Sequence, residues 1–160
     1  MYCKYLEIDK SEIGSLKENP DLIPEKFLNA PQHRHRHLDL HKSWHGIHYL
    51  LTKQLWESGN EFDLVIIGGV EIGYDLNYGP ARIHSPKAVK KIASLLNKVS
   101  EDTLKENYDP KRMDKLGIYP NIWVRDGKQA LSELLTDFRS LRDFFNDCAK
   151  RSSAVITVIW

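Results

Sequence analysis

Six of the seven histidines in this chain of 160 residues lie between His33 and His48. Four of the cluster recur at the spacing of one face of a helix, namely His37, His41, His45 and His48. Imidazole is the commonest nitrogen ligand of transition metals, and its charge changes near neutral pH. The spacing therefore predicts a site that could bind a metal ion, transfer protons or sense pH.

A metal ion is one candidate ligand, because histidines four residues apart on a helix can converge on a single ion. The candidate metal ligands are His37, at the N-terminal end of the predicted helix, and His41 and His45 within it. No glutamate follows the first histidine, so the HExxH pattern is absent. A third ligand would have to come from elsewhere, such as Glu71, Asp75 or His84.

General base chemistry is a second alternative, with His45 and His48 as the candidate catalytic residues. A half-buried imidazole beside a carboxylate can titrate near neutral pH, where a general base works best. The structural alternative is that His48 only donates a hydrogen bond at the edge of the core. In that interpretation the histidines that precede it are solvent-exposed, namely His33, His35, His37 and His41.

A long helix is predicted from Leu38 to Ser58. It would contain His41, His45 and His48, with His37 at its N-terminal end. Its apolar positions follow the spacing of a helical face that packs on a core, namely Leu40, Trp44, Ile47, Leu51 and Leu55. Gly59 and Asn60 end this pattern, and the run from Phe62 to Ile67 predicts a buried strand.

A glycine-containing segment, Gly68 to Asp75, follows that predicted strand. It has neither the GxGxxG spacing of a dinucleotide site nor the lysine of a phosphate loop. Its glycines would let a loop present four side chains at a cleft, namely Glu71, Asp75, Tyr78 and Arg82. Arg82 could hold the carboxylate or phosphate of a small anionic ligand, or pair internally with Glu71 or Asp75, and we favour the internal pair.

The remaining segments predict an α+β fold of one domain, residues 1–160. Strands are expected at Tyr2 to Ile8 and at Ala154 to Trp160, in a small mixed or antiparallel sheet packed against several helices. A short helix is expected near Ser11, and a loop region around Pro20, Pro24 and Pro31. Further helices are expected after Ser85, Ser100 and Asp109 and from Leu131 to Arg151, with an extended segment at Ile118 to Pro120.

Composition excludes several classes of protein. Hydrophobic residues make up 41% and charged residues 28%, and the formal net charge is +1. This balance disfavours nucleic-acid binding, which usually needs a basic surface.

No apolar run approaches the roughly 20 residues of a membrane span, and the start lacks a signal peptide, so we expect a cytoplasmic protein. Cys3 and Cys148 are expected to be free thiols, and no cofactor motif is present.

The sequence resembles the YfbM-like family, small bacterial proteins of unknown function. The resemblance rests on the stretch from Leu38 to Thr52 and on four later motifs in the same order, namely Gly68 to Asp75, Tyr78 to Arg82, Ile118 to Pro120 and the helix around Leu141. It implies a single α+β domain but no reaction, cofactor or catalytic residue. Family members commonly have an acidic residue where this chain has His41, whereas Trp44, His45 and His48 match.

The leading functional hypothesis is a cytoplasmic binding or interaction protein, for example an immunity-like inhibitor of another protein. The candidate ligand-binding residues are Trp44, Glu71, Asp75, Tyr78, Arg82 and Tyr119. One alternative is a small hydrolase or transferase that uses His45 or His48 as general base and Arg82 to hold an anionic group. The other alternative is a metal-binding protein that uses the histidine face.

Overall fold

The computed structural model describes residues 1–29 and 36–160, and His33 and His35 lie outside this part. The described strands form one antiparallel sheet in the order β2-β1-β5-β4-β3. They are β1 (Cys3–Ile8), β2 (His37–Asp39), β3 (Val70–Asp75), β4 (Pro80–His84) and β5 (Ala154–Ile159). The two terminal strands are neighbours at the centre of the sheet, and Tyr5 is paired with Thr157. The predicted α+β class is confirmed.

The alternation of side chains along the central strands places apolar groups on both faces of the sheet. Tyr5 and Val155 belong to the larger core on one face, whereas Leu6 and Ile156 belong to a smaller core on the other. Successive residues of a strand point to opposite faces, so β1 and β5 can be buried on both sides. The sheet is therefore covered by helices on both faces.

Eight helices are present in the described residues. They are α1 (Glu12–Glu18), α2 (Leu22–Asn29), α3 (Trp44–Thr52), α4 (Asp63–Ile66), α5 (Pro86–Asn97), α6 (Glu101–Asn107), α7 (Pro110–Leu116) and α8 (Trp123–Arg151). The predicted starts of α5, α6 and α7 are confirmed, because Ser85, Ser100 and Asp109 each accept a hydrogen bond from a backbone N–H of the first turn.

The predicted long helix from Leu38 to Ser58 is wrong. Leu38 is paired with Tyr5 across β2 and β1, and the carboxylate of Asp39 accepts the backbone N–H of His41 in a turn. Helix α3 begins only at Trp44, and it ends where Lys53 adopts a left-handed conformation and donates its N–H to the carbonyl of Tyr49. Pairing with β1 therefore replaced the first turns of the predicted helix.

Three further predictions differ from the structure. The run from Phe62 to Ile67 contains the short helix α4 instead of a strand, since a brief apolar run does not reveal its own periodicity. The region around Pro20 and Pro24 is not only loop, because Pro24 lies in the first turn of α2, where a proline needs no N–H. The glycine-containing segment is mostly strand and not loop, because its residues from Val70 onwards form β3.

Helix α8 begins at Trp123, earlier than the predicted start at Leu131. The carboxylate of Asp114 accepts the backbone N–H groups of Trp123 and Val124, which fixes this start from α7. The helix is interrupted at Gly127, whose carbonyl accepts a hydrogen bond from the hydroxyl of Tyr108. The peptide bond between Tyr119 and Pro120, just before α8, is cis. In the described ranges, no helix combines the length and apolar character needed to cross a membrane.

Candidate functional site

The histidine face that the sequence suggested does not form. His37 lies in β2, His41 lies in a turn with φ of 48°, and His45 lies in α3. Because these three residues do not share a helix, their spacing in the sequence does not place them on one face. The helical arrangement predicted for the candidate metal ligands is therefore wrong. Within residues 1–29 and 36–160, no group of three or more histidine, cysteine or acidic side chains is placed to hold a metal ion.

His45 is buried between two tryptophan rings. Its ring centroid lies 4.7 Å from that of Trp44 and 4.9 Å from that of Trp56. Its Nδ1 accepts the backbone N–H of Tyr119 at 3.0 Å, so the ring proton is on Nε2, which donates to the carbonyl of Leu55 at 2.7 Å. Burial lowers the pKa of His45, and the nearby His48 adds to this. Both nitrogens of the neutral ring are therefore engaged.

His48 is also buried and sits one turn further along α3. Its Nε2 lies 3.0 Å from the carbonyl of Trp56, and its Nδ1 has no hydrogen-bond partner in the described residues. Burial lowers the pKa of His48, although the Trp56 carbonyl and Asp63 oppose this. Together, His45 and His48 fasten the segment after α3 through its carbonyls, and both rings are closed off from solvent.

The hairpin of β3 and β4 places Glu71 beside Arg82. A guanidinium nitrogen of Arg82 donates to Oε1 of Glu71 at 3.1 Å, which is the internal pair that we favoured. Asp75 accepts the backbone N–H groups of Asn77 and Gly79 through one oxygen and so shapes the turn of the hairpin. Glu71 and Asp75 therefore have structural partners within their own hairpin.

A pocket of about 380 Å³ adjoins this hairpin and is lined by Trp56, Glu57, Ile67, Tyr78, Arg82 and Ile159. Tyr78 and Arg82, two of the candidate ligand-binding residues, both line this pocket. Trp44 and Tyr119 lie elsewhere, with Trp44 buried against His45. Because Glu57 and Glu71 carry two negative charges beside the one positive charge of Arg82, an anionic ligand gains little net attraction here.

A larger cleft, of about 480 Å³, lies between the turn that precedes α3 and the N-terminal half of α8. Its apolar part is formed by Ile122, Trp123, Ala130 and Leu134. Trp123 is fixed there because its indole N–H donates to the carbonyl of Ile118 at 2.7 Å. The volume falls within the roughly 300–1,000 Å³ that is common for small-molecule sites. We define this feature as the α8 cleft.

The polar part of the α8 cleft comes from two sides. The turn contributes His41, Lys42 and Ser43, and helix α8 contributes Glu133 and Asp137. Glu133 and Asp137 are four residues apart, so they lie on the same face of the helix. The ammonium group of Lys42 on the turn and the carboxylates of Glu133 and Asp137 on the helix thus line the same cleft.

Asp137 connects the two sides of the α8 cleft. The hydroxyl of Ser43 donates to Oδ2 of Asp137. Partial burial raises the pKa of Asp137, while the Ser43 hydrogen bond and the charge of His41 oppose this and Glu133 and Asp39 add to it. A carboxyl group with a perturbed pKa inside a cleft is a typical feature of ligand-binding and catalytic sites.

Sequence reasoning missed most of the α8 cleft. Asp137 had one usable signal, because it lies next to Phe138 and at helical spacing from Leu134 and Leu141, at the edge of an apolar face. Ser43 and Trp123 gave none, since a serine before a helix and an aromatic residue near a proline have ordinary structural uses. His41 was considered only as a metal ligand or a surface residue, and the structure places it at this cleft.

Comparison with known proteins places the chain among proteins without an assigned activity. A family model described as a domain of unknown function, DUF1877, matches residues 1–158. The chain is also similar to the crystal structure of YfbM from Escherichia coli, a protein of unknown function, with a TM-score of 0.80 and 20% identity over 100% of both chains. At this identity the structural match shows a shared fold. A comparison with curated proteins gives no significant match.

Proposed function

This chain belongs to the DUF1877 family of YfbM-like proteins, and we propose that it is a binding protein whose ligand occupies the α8 cleft. The observation that carries the proposal is the contact between Ser43 and Asp137 at the edge of an apolar cavity. It positions the half-buried carboxylate of Asp137 in the cleft that Trp123 also lines. Small-molecule sites typically combine an apolar surface with a few such convergent polar groups.

Binding is favoured over catalysis by the state of the two candidate bases. The lone pair on Nδ1 of His45 accepts a backbone N–H, and neither His45 nor His48 lines the α8 cleft or the pocket beside Arg82. A general base has to come within hydrogen-bond reach of the proton that it removes. The proposal therefore needs no chemical step from these residues.

A fragment screen tests the proposal. Ligand-observed NMR would identify binders, and amide chemical shifts of the protein would locate them. We expect shifts at residues 41–43 and along the part of α8 that lines the cleft. The screen should be repeated with Thr136→Trp, because Thr136 is exposed and lines the cleft, so a bulky ring there would fill part of the cavity.

The matched control is Ser140→Trp, one helical turn further along α8 and also exposed. Both residues donate their hydroxyl to a backbone carbonyl of the preceding turn, so the two replacements cost the helix the same kind of contact. Fragments should bind Ser140→Trp like the wild type and lose affinity for Thr136→Trp. Equal binding to both variants, or shifts confined to another surface, would contradict the proposal.

A second candidate function is binding of another protein, including inhibition of that protein. It is favoured by large apolar side chains that are more than half exposed on and beside the hairpin, namely Trp56, Val70, Tyr74 and Tyr78. Exposed aromatic residues are enriched in protein interfaces.

A partner that copurifies from the native host should be lost with Tyr74→Ser and Tyr78→Ser together. It should be retained with Val124→Ser, an exposed apolar residue on α8. Retention by both would contradict this function.

A further inference from the structure

We infer that the α8 cleft takes a zwitterionic ligand, in which an ammonium group and a carboxylate are attached to an apolar body. This is the chemistry of an amino acid with an apolar side chain or of a short peptide. The inference rests on the proposed binding function and adds the class of ligand. Three features of the cleft support it: the separation of its charges, the free oxygen of Asp137 and its apolar surface.

The charges of the cleft are separated by element. Lys42 lies on the turn before α3, and Glu133 and Asp137 lie on α8. In the part of the chain that the structure describes, Lys42 and Glu133 form no ion pair. Their charges are therefore available to a ligand. A ligand with one charge of each sign can satisfy both sides at once, whereas a purely anionic ligand would face two carboxylates.

Asp137 is the expected partner of the ammonium group. Its Oδ2 accepts the Ser43 hydroxyl, and its Oδ1 has no donor among the described residues. The Ser43 hydrogen bond restrains one oxygen of the carboxyl group and leaves the other to accept from a ligand. A charge-assisted hydrogen bond from an ammonium group would offset the cost of holding this carboxylate in a partly buried place.

The apolar side of the cleft defines the rest of the ligand. The cleft is lined on this side by Ile122, Trp123, Ala130 and Leu134, which carry no charged group, and Ile122 is the most exposed of the four. An apolar group there gains roughly 25 cal/mol for each Å² that it removes from water. A small polar zwitterion such as glycine would leave this surface uncovered, so we expect weaker binding of glycine than of phenylalanine.

Calorimetric titration with five probes tests the inference on the wild-type protein. The probes are L-phenylalanine, the dipeptide leucyl-phenylalanine, N-acetylphenylalanine, phenylalaninamide and glycine. The acetylated compound lacks the ammonium group and the amide lacks the carboxylate, so each removes one predicted contact. We expect L-phenylalanine or the dipeptide to bind, and the other three to bind at least about tenfold more weakly, as expected for loss of a charged hydrogen bond or of the apolar contact. Comparison of the first two probes distinguishes a free amino acid from a peptide as the source.

Protein variants test which side chain of the cleft binds each charged group of the ligand. Asp137→Asn should weaken binding of the zwitterion about tenfold without weakening N-acetylphenylalanine, and Lys42→Met should weaken the zwitterion to the same extent without weakening phenylalaninamide. The matched controls are Asp143→Asn on the same helix and Lys90→Met on α5, both exposed and outside the cleft. Glu133→Gln, at an exposed position, is a second test of the carboxylate side should Asp137→Asn unfold.

The inference is overturned if none of the probes binds, or if the blocked compounds bind as tightly as L-phenylalanine. These outcomes are distinguishable from failure of the proposed function. A cleft that binds fragments sensitive to Thr136→Trp but no zwitterion keeps its binding function with a different class of ligand. A cleft that binds neither fragments nor zwitterions fails both.

Discussion

Gly46 of α3 lies so close to Trp123 that a Cβ atom at this position would stand 2.5 Å from the edge of the indole ring and 2.8 Å from Leu134. This contact brings α3 against the start of α8 and holds one wall of the cleft. Neither the ring nor the helix has space to move away easily, since Trp123 and Leu134 are buried. The close approach explains why a glycine stands inside a helix, where it normally costs stability.

Gly46→Ala is therefore expected to destabilise the protein by about 1–3 kcal/mol, because overpacking outweighs the better helix propensity of alanine. Urea unfolding measures the change. The matched control is Gly14→Ala in α1, where a Cβ meets nothing within 4 Å. That variant should be stabilised by about 0.5–1 kcal/mol. A neutral or stabilising Gly46→Ala would show that the contact is looser than described.

Glu7 and Arg151 connect the first strand to the end of α8. The guanidinium donates to both carboxylate oxygens at 2.7 and 2.8 Å, and Ser153 adds a third hydrogen bond. Burial raises the pKa of Glu7, but these hydrogen bonds outweigh burial and the pKa is lowered. Arg151→Met should cost about 2 kcal/mol at neutral pH, because it leaves a buried carboxylate with fewer donors.

This effect of Arg151→Met should depend on pH with a definite sign. A carboxyl group whose pKa is lower in the folded state stabilises the fold above its unfolded pKa, and this stability is lost as the pH falls. The difference between variant and wild type should thus shrink below about pH 4. Lys150→Met, which removes only an exposed pair with Asp147, should change the free energy of unfolding by less than about 0.5 kcal/mol. A pH-independent difference would argue against the ion pair.

The stability of the fold is expected to fall in acid because of His84. It is buried, with Nε2 3.1 Å from the hydroxyl of Thr157, and burial together with the charge of Arg82 lowers its pKa to about 4. The unfolded chain binds a proton near pH 6.5, so stability is full above that pH and falls as the pH approaches 4. By about pH 4, this titration of His84 should lower the free energy of unfolding by about 3 kcal/mol. Urea unfolding between pH 7 and pH 4.5 should show a shallower dependence for His84→Gln than for wild type.

His45 and His48 also have lowered pKa values and contribute in the same direction, so some acid sensitivity should remain in His84→Gln. An unchanged pH profile for His84→Gln would contradict the assignment of the shift to this residue.

The two cysteines are expected to resist alkylation in the folded protein. Both are free and buried, and burial raises the pKa of Cys3 and of Cys148 to about 12. Because the thiolate is the reactive form, iodoacetamide at pH 8 should label neither in the native state and both after denaturation. Mass spectrometry counts the labels. Rapid labelling of the native protein would show that one of these thiols becomes accessible.

Local signals in the sequence were enough to predict several elements. Ser85, Ser100 and Asp109 each offer an oxygen to the first turn of a helix, and this capping depends on neighbouring residues alone. The strands at Cys3–Ile8 and Ala154–Ile159 were equally recognisable from their composition, and the motifs of the YfbM-like family were sufficient for the family assignment that the family model confirms. These features determined the α+β class without knowledge of distant contacts.

Tertiary contacts determined in which elements the histidines of residues 37–48 lie. Residues 37–39 fit either the start of a helix or a short edge strand, and the unpaired edge of β1 selected the strand, because its exposed backbone groups gain hydrogen bonds there. The same pairing moved His41 into the turn of the α8 cleft and left His45 and His48 in a buried helix. The spacing of residues along the chain determines local conformation, whereas Ser43 and Asp137, 94 positions apart, meet at the α8 cleft only because packing brings the start of α3 against α8.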